Sequence, residues 1–252
     1  GLTATCTFTN TRRGSLTIVK NAVGGDSDFA FSSPTLGNFN LTTAGGTAQT
    51  TFTDLPPGTY SVTETVPAGW DLTGVTCSDR SNVGNIGIAP GENVTCYFTN
   101  TKRGSLTIVK NTEGGEGSFD YTSPQLGAFT LTTANANARR TFDNLLPGGY
   151  SVNEIVPTGW DQTIAICSGG SPANVVVHPG ENVTCNFVNT KRAMLTVVKN
   201  TMGGDGSCGD VQATRMSSRF SIPRFIICRR LPILSFLEVQ VCGEPLAIGR
   251  TI

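Results

Sequence analysis

The sequence predicts an all-β protein built of tandem antiparallel β-sandwiches, and three observations support this fold class. Short runs rich in Thr, Val and Phe alternate apolar and polar residues, which is the two-residue period of a strand. Gly-Gly, Pro-Gly and Asn or Asp turns separate these runs. The same sequence of runs and turns recurs along the chain, and no segment has the period of an amphipathic helix. Short strands at this spacing form sandwiches in which one face of each sheet is buried.

Internal repeats predict the domain organisation. Residues 14–21 recur as residues 104–111, residues 60–70 as 150–160, and residues 91–100 as 180–189. We therefore expect complete β-sandwich repeats at 14–103 and 104–192. Three flanking segments do not complete the pattern. They are expected to be the last strand of a truncated preceding repeat (1–13), the first strand of a truncated third repeat (193–206), and an atypical Arg-rich tail, disordered or artefactual (207–252).

Composition argues against several classes of partner. Lys and Arg together number 18, as do Asp and Glu, and charged residues make up only 14% of the chain. This balance does not predict a nucleic-acid-binding surface. The apolar stretches, such as residues 225–228, are too short to cross a bilayer. No cofactor is expected.

Strand parity places three polar residues on the buried face of each repeat. Side chains at positions i, i+2 and i+4 share a face. Lys20 therefore shares a face with Leu16 and Ile18, and the parity is the same for Glu64 and Asn100 in their own strands. Lys110, Glu154 and Asn189 occupy the equivalent positions in the second repeat. Because an isolated buried charge is costly, the members of each triad are expected to meet one another.

Such a triad has two interpretations. Desolvation favours a neutral amine and a protonated acid beside an amide carbonyl, which are the groups needed for an intramolecular isopeptide bond. In this hypothesis Lys20 attacks Asn100 while Glu64 polarises the carbonyl and moves protons, and Lys110, Asn189 and Glu154 do the same. The alternative is a structural Lys–Glu ion pair with the Asn completing its hydrogen bonds.

The cysteines also follow the repeat. Cys77 and Cys96 in the first repeat correspond to Cys167 and Cys185 in the second, so two disulfides and an oxidising compartment are predicted. The partners of Cys6, Cys208, Cys228 and Cys242 are not predictable from the sequence.

Other candidate sites are weaker. No metal site is expected, since C-x-x-C spacing is absent and His178 is the only histidine. The acidic residues near 26–28 and 116 are expected to lie in hairpin turns, which the sequence favours over calcium sites. Trp70 and Trp160 are expected to pack over the ends of their sandwiches, with an exposed glycan platform as the alternative. Asn40, Asn93 and Asn182 fit the N-glycosylation pattern.

The repeats resemble the collagen-adhesin B-type, or SpaA-type, prealbumin-like domains of bacterial surface proteins and pilins. The Lys of the first strand, the Glu of the Val-Thr-Glu-Thr-Val-Pro-Ala-Gly-Trp motif and the Phe-Thr-Asn-Thr ending carry the resemblance. It implies an inverse immunoglobulin-like sandwich, surface display and Lys–Asn crosslinks promoted by the acidic residue. The cysteine pair in each repeat departs from the family pattern and offers another covalent staple.

The expected function is therefore structural: a stalk or spacer of an extracellular surface protein, and not an enzyme beyond single-turnover self-crosslinking. Its expected partners are neighbouring repeats of the same protein. The alternatives are an adhesin or carbohydrate-binding repeat, with a host or environmental ligand at the loop tips, and accessory domains of a larger secreted enzyme.

Overall fold

The computed structural model describes residues 1–194, Thr196 and two short paired strands, Gln240–Val241 and Glu244–Pro245. The chain divides into two compact units, Gly1–Thr190 and Lys191–Ile252. Apart from the positions just named, the predicted strand at 193–206 and the tail at 207–252 lie outside the described residues.

All regular structure within residues 1–190 is β-strand. The strands of the first repeat are β1 (Gly14–Val23), β2 (Asp28–Ser32), β3 (Phe39–Thr42), β4 (Thr47–Leu55), β5 (Gly58–Tyr60), β6 (Thr63–Thr65), β7 (Trp70–Cys77), β8 (Ile86–Ile88) and β9 (Asn93–Lys102). Those of the second are β10 (Gly104–Glu113), β11 (Ser118–Thr122), β12 (Phe129–Thr132), β13 (Asn137–Leu145), β14 (Gly148–Tyr150), β15 (Asn153–Ile155), β16 (Trp160–Cys167), β17 (Gly170–Ser171), β18 (Asn174–Val177) and β19 (Asn182–Lys191). Residues 1–13 contain no assigned strand, so the expected boundaries of the flanking repeats remain predictions.

The sheets of the two repeats follow one plan. In the first repeat the strand orders are β4-β1-β9-β7, β3-β2-β6 and β5-β8. In the second, the short strand β17 joins β16 to β18, which gives the orders β13-β10-β19-β16-β17-β18-β14 and β12-β11-β15. The all-β tandem fold predicted from the sequence is confirmed. One pairing differs from the expected antiparallel arrangement, because the first and last strands of each repeat run parallel.

The strand predicted to carry Glu64 on its buried face is divided in the structure. Tyr60 lies in β5 and pairs with β8, whereas Glu64 lies in β6 and pairs with β2. Between them the Val62 amide donates to the Val83 carbonyl oxygen at 2.8 Å, so the chain passes from one sheet to another at this point. The predicted side-chain parity survives the break: Tyr60 and Val62 are buried, and the Glu64 side chain is 1% exposed.

Each repeat buries its own apolar core, which the tryptophans help to close. Trp70 packs edge-on against Phe29 with ring centroids 5.2 Å apart, and Trp160 packs in the same way against Phe119 at 5.1 Å. Because the two indoles are only 7% and 8% exposed, they form part of the core and not a glycan platform.

The linker between the repeats contacts both of them. Arg103 donates from Nε and Nη2 to the Asp71 carboxylate at 2.8 and 2.6 Å, and from Nη1 to the Asn144 carbonyl oxygen at 3.4 Å. The Gly180 amide of the second repeat donates to the Lys102 carbonyl oxygen at 3.0 Å. These bonds hold the end of the first repeat against the second repeat.

Backbone packing tightens this junction at Gly24. A Cβ atom at this position would lie 2.5 Å from the carbonyl carbon of Pro179, and the Gly24 φ of 98° also disfavours a side chain. The linker that precedes the first repeat makes the equivalents of two of these contacts, the arginine bond to a backbone carbonyl and the glycine bond to the linker. Arg13 donates to the Asp54 carbonyl oxygen at 2.7 Å, and Gly91 donates to the Arg12 carbonyl oxygen at 3.0 Å.

No helix that could cross a membrane occurs in the part of the chain that the structure describes.

Candidate functional site

Strands from both sides of the first sandwich bring Lys20, Glu64 and Asn100 together. Lys20 lies on β1, Glu64 on β6 and Asn100 on β9. Glu64 Oε1 lies 3.4 Å from Lys20 Nζ and accepts a hydrogen bond of 2.6 Å from Asn100 Nδ2. The residues Lys20 and Asn100 are 0% exposed. The meeting that strand parity predicts is therefore present.

The parallel register of β1 and β9 positions the lysine. Lys20 is the register partner of Phe98, and Asn100 is the partner of Ala22, two residues further along β1. Lys20 Nζ lies 3.4 Å from the Phe98 carbonyl oxygen and 4.3 Å from the centroid of the Phe29 ring. The aromatic face gives the ammonium a partial substitute for water.

The second repeat builds the same cluster with shorter contacts. Lys110 Nζ lies 2.9 Å from Glu154 Oε1, and Asn189 Nδ2 donates to the same oxygen at 2.5 Å. Lys110 Nζ also lies 4.2 Å from the centroid of the Phe119 ring. Both side chains of the ion pair are 0% exposed. Two independent copies of the cluster thus have the same connectivity.

Burial shifts the ionisation of the two lysines and of Glu64 towards their neutral forms. Desolvation lowers the pKa of Lys20 and of Lys110, while the partner carboxylates oppose this change. Desolvation raises the pKa of Glu64, against the opposing effect of Lys20 and the hydrogen bond from Asn100. In the first repeat, the state with a neutral amine beside a protonated carboxylic acid is consequently closer in free energy to the ion pair than it is in water.

Several polar atoms in the clusters are buried without a hydrogen-bond partner. They are Glu64 Oε2, Asn100 Oδ1 and Asn189 Oδ1, together with Lys110 Nζ, which is ion-paired with Glu154 but makes no hydrogen bond. Leaving such atoms unpaired costs about 1–3 kcal/mol each. Each Asn presents Nδ2 to the carboxylate, so the acid is placed to protonate the amide nitrogen. The role predicted for Glu64 and Glu154 is polarisation of the amide carbonyl. That role requires the Asn amide group to rotate by about half a turn, so that its oxygen faces the acid.

Two contacts of Glu154 are not among those predicted from the sequence. Gln162 Nε2 donates to Glu154 Oε2 at 2.7 Å, and the buried Tyr121 is the register partner of Glu154. The equivalent residues of the first repeat are Leu72 and Phe31. The sequence feature that could have indicated these contacts is a polar residue in the second repeat at a position where the first repeat has an apolar one.

Comparison with known proteins agrees with this architecture. A family model described as a SpaA-type prealbumin-like fold domain matches the chain twice, at residues 16–102 and 106–191. The chain belongs to this prealbumin-like family. A search of curated proteins finds no match.

Solved structures similar to these prealbumin-like domains include proteins from three bacteria. The TIE protein of Bacillus anthracis is 25% identical over 72% of this chain and 34% of its own, with a TM-score of 0.30. The major pilin T-13 of Streptococcus pyogenes is 13% identical over 72% and 98%, with a TM-score of 0.30. The shaft pilin spaA of Lactobacillus rhamnosus GG is 12% identical over 73% and 100%, with a TM-score of 0.26. The chain thus spans about a third of the TIE protein.

Each prealbumin-like domain also carries the predicted disulfide. Cys77 and Cys96 are opposite each other on β7 and β9 and are bonded, and Cys167 is bonded to Cys185. On the chain-entropy estimate a loop of this size contributes about 3 kcal/mol to stability. Cys6 is an exposed free thiol.

The remaining candidate residues have structural surroundings. His178 is exposed in the loop after β18, and its amide donates to Glu181 Oε2 at 2.9 Å. Asp26 accepts from the amides of Gly45 and Gly46 at 3.0 and 2.7 Å, which caps a turn. Among the described residues, no group of three or more His, Cys, Asp or Glu side chains is arranged to hold a metal ion. The glycosylation candidates Asn40, Asn93 and Asn182 are exposed.

Proposed function

We propose that this chain forms part of an extracellular, cell-surface stalk in which each prealbumin-like domain crosslinks itself through a Lys–Asn isopeptide bond. The observation that carries the proposal is the buried Lys–Glu–Asn cluster, which occurs twice with the same connectivity. A cluster that served only to stabilise the core would be better replaced by apolar residues, because desolvation offsets much of the attraction in a buried ion pair.

The proposed reaction needs no cofactor. The neutral Lys20 Nζ attacks the side-chain carbonyl carbon of Asn100 and forms a C–N bond. One proton leaves the lysine nitrogen through Glu64 and reaches the amide nitrogen, which departs as ammonia. Lys110, Glu154 and Asn189 perform the same exchange. Fixing the amine and the amide side by side supplies the effective concentration that this reaction lacks in water.

The bond would connect the strands through which the chain enters and leaves each domain. β1 and β9 are hydrogen-bonded neighbours, and Lys20 and Asn100 lie near their shared end. A tensile load on the chain would then pass from β1 to β9 through the isopeptide bond, and the core between them would stay folded. The disulfides add a second covalent connection, between β7 and β9.

The junction between the repeats supports a semi-rigid stalk built from neighbouring copies. Arg103 is hydrogen-bonded to both repeats, and the Gly24 turn packs directly against Pro179. Such contacts limit the swing of one repeat on the next, which suits a spacer that holds another domain away from a surface.

The second candidate is an adhesin or carbohydrate-binding repeat, with accessory domains of a larger secreted enzyme as a further possibility. The first would bind its ligand at the loop tips, and the second would have its catalytic domain outside this chain. The loops of the two repeats differ in sequence at 44–47 against 134–137 and at 79–82 against 169–172, which favours a spacer over two copies of one ligand site.

The test is the intact mass of the denatured, reduced chain, followed by peptide mapping. A deficit of one ammonia per repeat, with the Lys20 and Asn100 peptides joined and the Lys110 and Asn189 peptides joined, is the expected result. Full mass with four separate peptides would leave a disulfide-linked sandwich with a purely structural cluster, and the ligand-binding candidate would then gain support.

A further inference from the structure

Among the differences between the two clusters, one concerns an oxygen atom of the acid. In the second repeat both oxygens of Glu154 are engaged, Oε1 by Lys110 and Asn189 and Oε2 by Gln162. In the first repeat Glu64 Oε2 is buried with no hydrogen-bond partner. Leu72 occupies the position on β7 that Gln162 occupies on β16, and a leucine side chain has no donor for Oε2.

The position lies beside the cluster in both repeats. Leu72 is the register partner of Asn100 on β9, directly beside the cluster. Gln162 is an exposed residue at the rim of a cleft of about 440 Å³ that also borders Glu154 and Phe187. The amide therefore connects a buried carboxylate to the solvent side of the sheet.

A hydrogen-bond donor on Oε2 stabilises the carboxylate form of the acid. The distances agree with this direction, since Lys110 Nζ lies 2.9 Å from its acid whereas Lys20 Nζ lies 3.4 Å from its own. The titratable groups that face Glu154 are Lys110 from β10 and Tyr121 from β11. The buried Tyr121 hydroxyl has no hydrogen-bond partner, and burial together with the nearby Glu154 raises its pKa far above the ordinary value, so the phenol stays neutral.

Isopeptide formation requires the opposite protonation pattern. The proton of the ion pair must move from the lysine to the acid before the amine can attack. In the first repeat Leu72 has no hydrogen-bond donor to stabilise the Glu64 carboxylate, so proton transfer from Lys20 to Glu64 is easier. In the second repeat, proton transfer from Lys110 to Glu154 weakens the hydrogen bond from Gln162. That cost is avoided only if the Gln162 amide rotates, so that its carbonyl oxygen accepts from the protonated acid.

We propose that Gln162 is a positioning residue that slows crosslinking of the second repeat relative to the first, by holding Glu154 as a carboxylate paired with Lys110. The inference rests on the proposed isopeptide chemistry. The two repeats of one chain then form their bonds in order, the first repeat before the second.

The experiment follows both crosslinks in the same molecule. The full chain is recovered in denaturant, its uncrosslinked state is verified by intact mass, and it is refolded at several pH values. Samples are quenched over time, and the joined peptides of each repeat are quantified separately. We expect the Lys20–Asn100 bond to form about tenfold faster than the Lys110–Asn189 bond, a ratio that corresponds to about 1.4 kcal/mol.

Reciprocal variants separate this role from a general effect on folding. Gln162→Leu is expected to accelerate the second repeat to nearly the rate of the first, and Leu72→Gln to slow the first repeat. Gln125→Leu, which removes an exposed amide that accepts from the Ser151 backbone at 3.2 Å, is the matched control and should change neither rate. If Gln162→Leu fails to fold, Leu72→Gln still tests the inference in the other repeat.

A direct readout of the acid completes the test. In a chain blocked by Asn100→Ala and Asn189→Ala, the 13C signal of the Glu154 carboxyl is followed at neutral pH. Adding Gln162→Leu should move this signal towards the protonated acid, a change that a purely structural role would not produce. Equal rates in the two repeats, unaffected by either swap, would overturn this inference and leave the isopeptide proposal intact. Absence of both crosslinks would overturn both.

Discussion

Asn100 presents its Nδ2 atom, and not its carbonyl oxygen, to Glu64 Oε1 at 2.6 Å. Asn189 faces Glu154 in the same way at 2.5 Å. The acid is therefore positioned beside the group that would leave as ammonia, and the amide carbonyl oxygen of each Asn is buried without a partner. This orientation makes proton delivery to the leaving nitrogen the first step to test.

Replacing the acid by its amide should abolish the crosslink of one repeat only. Glu64→Gln keeps the shape of the side chain but cannot accept the proton of Lys20, so we expect loss of the Lys20–Asn100 bond and retention of the Lys110–Asn189 bond. Intact mass and peptide mapping measure both. The variant also leaves Lys20 buried opposite a neutral group, which should lower the free energy of unfolding of this repeat by about 3–5 kcal/mol. Normal crosslinking in Glu64→Gln would exclude Glu64 from the chemistry.

Pulling the chain at its two ends should distinguish crosslinked from uncrosslinked domains. With the Lys20–Asn100 bond in place, only short segments outside it can extend. In Glu64→Gln the first repeat should unfold and lengthen the chain by on the order of 200 Å, since only the segment between Cys77 and Cys96 stays looped by its disulfide. Single-molecule force spectroscopy measures this step. A step of the same length in the parent chain would contradict the proposed load path.

Removing one disulfide should weaken one domain without changing the fold. The double variant Cys77→Ala with Cys96→Ala is expected to lose about 3 kcal/mol of unfolding free energy, because the unfolded chain regains the freedom of the loop. Urea unfolding under reducing and oxidising conditions provides the measurement. The equivalent double variant at Cys167 and Cys185 is the internal control and should show a loss of similar size in the other repeat.

The junction should loosen when the Arg103–Asp71 pair is removed. Arg103→Ala is expected to let the two repeats orient independently, which residual dipolar couplings detect as different alignment tensors for the two domains. The hydrogen bonds from Arg103 lower the pKa of Asp71, so the pair is fully formed above the ordinary Asp pKa of about 3.9. It is lost as the pH falls further, through the lowered pKa of the folded state. Identical tensors in Arg103→Ala would show that backbone packing at Gly24 is sufficient.

Much of the site was predictable because it depends on local parity. Lys20 and Asn100 fall on the buried faces of their strands, and that assignment needs only the two-residue period. The disulfides were predictable from cysteine pairs that recur in each repeat. The passage of the chain between sheets at Val62 was not, since the same alternation continues through the break.

Side-chain contacts between elements that lie far apart in the sequence could not be predicted either. Gln162 reaches Glu154 because β16 lies beside β19, whose Asn189 contacts Glu154, and nothing in the local pattern around Gln162 sets this neighbour. The pairing of Arg103 with Asp71 likewise depends on how the linker turns after β9. Such contacts are fixed by tertiary packing, which periodicity does not report.

The parallel pairing of β1 with β9 has a mechanical consequence of its own. The chain enters this pair at Gly14 and leaves it at Lys102, at opposite ends of two neighbouring strands. Opposed forces on the two ends would slide the strands along each other in shear, so that all the hydrogen bonds between them resist together and cannot open one after another. A folded domain that lacks the proposed isopeptide bond would therefore already withstand load.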